Sequence, residues 1–242
     1  MEQETSGASS QRVQIAPSIL AGDFLHLQDS VDAAVRGGAD RLHLDVMDGR
    51  FVPNLTLGPQ IVKAIDSVTQ IPLEVHLMIV EPERYISVFA DAGADIITVH
   101  SEVSPHLFRT LEQIHDLGKQ AGVAINPATH WIAVEEVLQL ADLILVMTVS
   151  PGFGGQEFVP DMTRKIAALR RTIDRRGLGT ELEVDGGISE HNIGVVARAG
   201  ARVIVAGTAV YGAADGVERS IRTLRQSAEE AIQEAHSAIS SN

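Results

Sequence analysis

The sequence contains no cysteine. That excludes disulfides, thiolate-bound zinc, iron–sulfur clusters and thiol nucleophiles. It has no apolar run near the ~20 residues that a membrane-spanning helix needs, so no membrane partner is expected. It is short of positive charge: 19 Lys+Arg against 32 Asp+Glu leave a formal net charge of −13. Nucleic acid is therefore a poor partner, because phosphate backbones are bound by Lys/Arg surfaces. No Walker-type lysine follows its glycine-rich loops, which argues against a nucleoside triphosphate. No Gly-x-Gly-x-x-Gly follows the first strand-like segment, which argues against a doubly wound open sheet. An apolar signal core is missing from Met1 to Arg12, and two glutamates there do not suit a transit peptide. That stretch reads as a disordered polar tail on a soluble, cytoplasmic protein.

What is present is ordinary for a globular chain, with 45% hydrophobic and 21% charged residues. Strand-like segments fall at Val13–Leu20, Arg41–Met47, Leu73–Ile79, Asp95–His100, Val123–Asn126, Leu143–Val149, Glu181–Asp185 and Arg202–Ala206. Helical spacing follows each, at Asp23–Arg36, Pro59–Val68, Pro82–Ala92, Leu107–Ala121, Ile132–Leu140, Asp161–Arg176, Glu190–Ala199 and about Gly216–His236. Eight strand–helix units predict an α/β chain folded as a single-domain (β/α)8 TIM barrel over residues 13–236, with a short tail at 237–242. The strands read as apolar on both sides, as a parallel sheet covered by helices requires. Gly38-Ala39-Asp40, Gly93-Ala94-Asp95, Leu140-Ala141-Asp142 and Gly200-Ala201-Arg202 form a weak repeat before strands 2, 4, 6 and 8. It predicts structure rather than chemistry.

In such a barrel the active site lies at the C-terminal ends of the strands. Ser18 closes strand 1, His43 and Asp45 share one face near the end of strand 2, His76 lies toward the end of strand 3, and Asp185 ends strand 7. Two histidines and two carboxylates can converge above the barrel mouth, a nitrogen/oxygen set suited to one divalent Zn2+, Fe2+, Mn2+ or Co2+. His100 ends strand 4, and no role is assigned to it. The other histidines fall mostly in helices or loops and are read as solvated. Three glycine-rich turns follow adjacent strands: Gly152-Phe153-Gly154-Gly155, Gly186-Gly187 and Gly207-Thr208. Close-approaching backbone N–H groups there point to a phosphate. Met47, Met78 and Met147 end strands 2, 3 and 6, as core filling or as a water-excluding cover over a reacting centre.

Several stretches resemble the motifs of the ribulose-phosphate 3-epimerase family. They are Ala16-Pro17-Ser18-Ile19-Leu20, Leu44-Asp45-Val46-Met47-Asp48-Gly49-x-Phe51-Val52-Pro53-Asn54, Val75-His76-Leu77-Met78, Val149-Ser150-Pro151-Gly152-Phe153-Gly154-Gly155-Gln156 and Val184-Asp185-Gly186-Gly187-Ile188. The likeness runs from about Ile15 to Ala214. It implies a ribulose-phosphate-binding barrel that interconverts D-ribulose 5-phosphate and D-xylulose 5-phosphate, as in the pentose phosphate pathway and the Calvin cycle. It further implies that Asp45 and Asp185 exchange acid and base roles, and that His43, Asp45, His76 and Asp185 hold the divalent ion. Ser18 and His76 would touch the substrate. Gly152, Phe153, Gly154, Gly155, Gly186, Gly187, Gly207 and Thr208 would hold its phosphate, with Met47, Met78 and Met147 over the intermediate. A homo-oligomer, dimer or hexamer, is the family's habit. The alternatives are C3 epimerisation of a six-carbon ketose phosphate such as D-allulose 6-phosphate, a decarboxylase or lyase on a phosphate-binding barrel, and a non-catalytic sugar-phosphate binder. A lyase is disfavoured because strands 2, 3 and 7 carry no lysine.

Overall fold

The computed structural model describes residues 12–240. Among them eight parallel strands alternate with helices: β1 (Gln14–Pro17), α1 (Leu27–Gly37), β2 (Leu42–Met47), α2 (Pro59–Asp66), β3 (Leu73–Met78), α3 (Ile86–Asp91), β4 (Ile96–His100), α4 (Leu107–Asp116), β5 (Gln120–Ile125), β6 (Leu143–Met147), α5 (Met162–Arg176), β7 (Glu181–Asp185), α6 (Ile193–Ala199), β8 (Val203–Ala206), α7 (Thr208–Tyr211) and α8 (Val217–Ser240). The hydrogen-bonded order runs β1-β8-β7-β6-β5-β4-β3-β2. A single Ser18–His43 bridge joins the two ends of the sheet. The expected barrel is therefore the observed one. No helix among the described residues is long and apolar enough to cross a membrane.

Outward-facing strand residues such as Ile15, Leu44, Val75, Ile97, Val123, Ile144, Val184 and Ile204 are buried under the helices. They form one continuous core with the inner stripes of the helices. In α8 that stripe is Ile221, Leu224, Ala228 and Ile232, spaced for one helical face.

The barrel interior departs from the expectation of strands apolar on both faces. One side is apolar, with Ala124, Leu143, Leu145 and Met147 on β5 and β6, and Ala16, Val203 and Val205 on β1 and β8. The rest is a buried polar column: Arg41 just before β2, His43 and Asp45 on β2, Glu74 and His76 on β3, Thr98 and His100 on β4, and Glu183 reaching in from β7. Arg41 anchors its lower end, donating to Gln14 Oε1 (2.6 Å) and Glu181 Oε2 (2.7 Å), with Glu74 at 3.6 Å. Charges are placed inside a protein only with partners. Here the partners come from neighbouring strands at matching register, Asp45 beside His76 and His76 beside Thr98.

The Ala-Asp repeat builds the barrel floor. Asp40, Asp95 and Asp142 accept hydrogen bonds from the backbone N–H of Ile15, Leu73 and Ala121. Each clamps the start of the preceding odd-numbered strand. Arg202 cannot accept in this way: its backbone N–H still donates to Leu182 O, and its guanidinium donates to Ala197 O and Ala201 O instead.

Some boundaries moved. Helix α4 stops at Asp116 rather than Ala121, because Gly118 turns the chain at φ 71° and β5 begins at Gln120. The fifth helical segment is a 3-10 turn, Trp131–Val137. The last helix continues past His236 to Ser240, since neither glycine nor proline interrupts it. The expected C-terminal tail is thus helical through Ser240. Residues 1–11 and 241–242 lie outside the described residues.

Gly122 faces the interior at its tightest point. A Cβ there would lie 2.2 Å from Thr98 Oγ1 and 3.2 Å from a Leu143 methyl. Gly122→Ala should push Thr98 off its bond to Glu74 Oε1 and destabilise the fold by about 1–3 kcal/mol. Urea unfolding measures this; an unchanged midpoint would contradict a close-packed interior.

Candidate active site

The strand ends place the polar column's upper end beneath a cavity of about 250 Å3, a size for a small metabolite. Its walls include Ser18, Asp45, Met47, Met78, Met147, Asp185 and the glycine turns after β6, β7 and β8. His43 and His76 lie below, with no solvent exposure. Every residue expected at the site is thus at the cavity or directly under it.

Four side chains converge at the cavity floor. His43, Asp45, His76 and Asp185 each offer one ligand atom, all within 4.8 Å of one another. Asp45 Oδ1 lies 3.3 Å from His43 Nε2 and 3.1 Å from His76 Nδ1, and the two ring nitrogens are 3.3 Å apart. A tetrahedral ion with ligands at about 2.0 Å separates them by about 3.3 Å. Three of the four donors therefore already stand at the spacing a small divalent cation requires. Ser18 Oγ donates to the other Asp45 oxygen at 2.6 Å. Asp45 and Asp185 come from strands separated by β8 and β1, three strands apart around the barrel and one short of diametrically opposed.

The environment drives the two carboxylates apart in acidity. Burial would raise Asp45, but His43 first and then His76 hold it far below the usual carboxylate range. For Asp185 burial and then the Asp45 charge outweigh the pull of His43 and push it up to about 7. Burial likewise disfavours a charged His43, yet Asp45 and Glu74 overcome it and raise that imidazole. For His76 burial prevails and lowers it. One carboxylate that stays ionised beside one that holds a proton near neutrality is the arrangement of an acid–base pair.

The loops fix this geometry. Asp48 is a turn former: it accepts from the N–H of Arg50, Phe51 and Val80. Asn54 Nδ2 donates to Gly152 O, tying the loop after β2 to the loop after β6. Thr148 Oγ1 donates to Asp185 O and Gly186 O, holding the end of β7. Gly187 sits at φ 66°, and a Cβ there would meet Phe158 N at 2.4 Å, so only glycine lets these two loops touch. The backbone N–H groups of Gly154, Gly155, Gly187 and Gly207 donate to nothing among the described residues, which leaves them for an anion. Met47 and Met78 pack with Val52, Leu20 and Phe51, while Met147 lies in the apolar interior cluster and also lines the cavity.

Residues 14–211 match the model of the Ribulose-phosphate 3 epimerase family. The chain belongs to that family. It is 54% identical to the ribulose-phosphate 3-epimerase of Synechocystis sp. over 211 residues, which cover 86% of this chain and 92% of the relative. It is 50% identical to the enzyme of the same description from Bacillus subtilis, over 84% of this chain and 94% of that one. Among solved structures, KGPDC from Streptococcus mutans superposes with a TM-score of 0.68 at 13% identity, covering 91% of this chain and 99% of that one. That likeness concerns the fold alone. The family match and the identities make the chain an epimerase, an isomerase of phosphorylated sugar.

Sequence reasoning missed Glu74, Glu183 and Glu102, and gave His100 a place at the end of β4 but no role. Glu74 and Glu183 stand two residues before His76 and Asp185, so strand alternation alone would have put them on the same inward face. They lie 3.6 and 3.9 Å from His43 Nδ1. Burial raises both, but His43 and then Arg41 keep Glu74 at about 2. Glu183 is pushed well up by burial and then by the Glu74 charge, against the smaller pull of His43 and Arg41.

Proposed function

We propose that this epimerase interconverts D-ribulose 5-phosphate and D-xylulose 5-phosphate with Asp45 and Asp185 as its two proton-transfer groups. The observation that carries the reading is the pair itself: two carboxylates, three strands apart around the barrel, that face one small cavity. Inverting C3 means removing a proton α to the C2 ketone and returning one to the opposite face, which two opposed groups do better than one. Ionised Asp45 accepts the first proton. Asp185 delivers the second from its own side of the cavity. In the reverse direction the roles exchange.

His43, Asp45, His76 and Asp185 are the residues that would hold a divalent ion, and their spacing fits one. When bound, such an ion supplies Lewis-acid stabilisation to the negative charge that develops on the sugar oxygens. The protein's own contributions are distinct. Ser18 keeps the Asp45 carboxylate turned toward the substrate. Met47, Met78 and Met147 keep water from the reacting carbon. The glycine turns after β6, β7 and β8 offer backbone N–H groups to the phosphate, which sets the sugar in register with the two aspartates.

Incubation with ribulose 5-phosphate in D2O should place solvent deuterium at C3, read by mass spectrometry or proton NMR. Label at another carbon, or none in an active preparation, would refute the proton-transfer scheme. The same assay run on D-allulose 6-phosphate distinguishes the five-carbon substrate from its six-carbon analogue.

A further inference from the structure

The two imidazoles at the cavity floor need different tautomers, and only one has a built device to enforce it. His76 faces the Asp45–His43 cluster with Nδ1. If Nδ1 is to offer a lone pair there, the ring proton must sit on Nε2, and in a fully buried site that N–H requires an acceptor. Nε2 of His76 lies 2.9 Å from Nε2 of His100, the last residue of β4 and itself fully buried. His100 can accept there only if its own proton is on Nδ1, and His100 Nδ1 lies 3.2 Å from Glu102 Oε2. The other Glu102 oxygen accepts from Asn126 N (2.8 Å) and from the Thr129 hydroxyl. Burial would raise the Glu102 carboxyl, but bonds from His100, Thr129 and Asn126 hold it at about 2, so it is an acceptor only. The loop that supplies Asn126 is pinned in turn by Lys165 Nζ on Asn126 O and Pro127 O. Phe51 packs on the His100 ring at 4.7 Å between centroids, which stops it turning.

From this geometry we propose that His100 and Glu102 are positioning residues, a one-directional relay Glu102←His100←His76 that fixes His76 with its Nδ1 lone pair toward the metal-binding cluster. The proposal rests on the reading of His76 as a ligand given above. By contrast, His43 Nδ1 has carboxylates only at 3.6 and 3.9 Å, beyond a hydrogen bond.

The relay has a reversal mutant. In Glu102→Gln the amide oxygen must face Asn126 N–H, which can only donate. The NH2 group then faces His100 Nδ1 and turns it into an acceptor. His100 Nε2 becomes the donor, and His76 is left with its proton on Nδ1. The loop bonds to Asn126 and Thr129 survive, so folding is preserved. Metal-stripped protein titrated with Co2+ should show a 10- to 100-fold weaker dissociation constant for Glu102→Gln. Imidazole 15N NMR of the metal-free proteins should show the His100 proton on Nδ1 in wild type and on Nε2 in Glu102→Gln. Thr129→Val, which touches Glu102 but not the relay, should leave both readouts at wild-type values. Co2+ affinity within twofold of wild type, an unmoved His100 proton, or an equal loss in Thr129→Val would overturn the relay. His76→Asn separates the two ideas. If it leaves Co2+ binding intact, the ligand reading fails and the relay with it. If it weakens binding while Glu102→Gln does not, only the relay fails.

Discussion

Asp45→Asn and Asp185→Asn should each reduce turnover by about 10^3- to 10^4-fold, the loss expected when a proton-transfer group is replaced by an isostere that cannot titrate. A mild effect from either would refute the two-aspartate scheme. The same variants should move stability in opposite directions when metal-free. Asp185 has a folded pKa raised to about 7 from 3.8. The unfolded chain gives up that proton first, so the penalty grows from pH 3.8 to 7 and is complete above 7. Asp185→Asn should therefore stabilise the metal-free protein at pH 8 and gain nothing below about pH 4. Asp45 has a folded pKa depressed by His43 and His76. Its contribution is present above pH 3.8 and lost in acid, so Asp45→Asn should destabilise at pH 8. Urea unfolding at pH 8 and pH 4 measures both. Equal stability changes at pH 8 would show that the two carboxylates do not differ as described. An inactive but more stable Asp185→Asn would also rule out misfolding as the cause of its lost turnover.

Chelation of the divalent ion should lower turnover by at least about a hundredfold, and readdition of Zn2+, Co2+, Mn2+ or Fe2+ should restore it. The affinity should fall with acid in a defined window. To ligate, Asp185 must lose the proton that it holds up to about 7. One released proton costs about tenfold in apparent affinity per unit below pH 7. His43, whose pKa is also raised, steepens the dependence further. Titration calorimetry in buffers of different ionisation enthalpy counts the protons. An affinity flat between pH 5.5 and 7 would remove Asp185 from the ligand set.

Much of this was legible in the chain because period-two alternation and strand-end position are local properties. His43 and Asp45 share a face by their spacing, and the Asp185-Gly186-Gly187 turn announces the end of β7. The polar half of the barrel interior was not legible in the same way. Arg41, Glu74 and Glu183 sit among valines and leucines, and a lone charge in an apolar strand is ambiguous until the strands that partner it are known. Arg41 finds Glu181 from a segment 140 residues away, a pairing that barrel closure alone creates. His100 was seen at the end of β4 but given no role, because its role depends on the 2.9 Å approach of His76 from the neighbouring strand. The early end of α4 was hidden by an apolar spacing that ran on into β5.

The order of the strands around the barrel carries a consequence for how the enzyme comes into being. β1 pairs along its whole length with β8, Gln14 against Val203 through Pro17 against Ala206, and meets β2 only at the Ser18–His43 bridge. The first strand synthesised thus waits for the last before it has a partner. Ser18 reaches its place beside the turn at Gly207 only when that long-range closure is made. Closures between distant segments are entropically costly and come slowly. Nascent chains lacking β8 therefore have an unclosed barrel and lack the Gly207-Thr208 turn that completes the cavity wall.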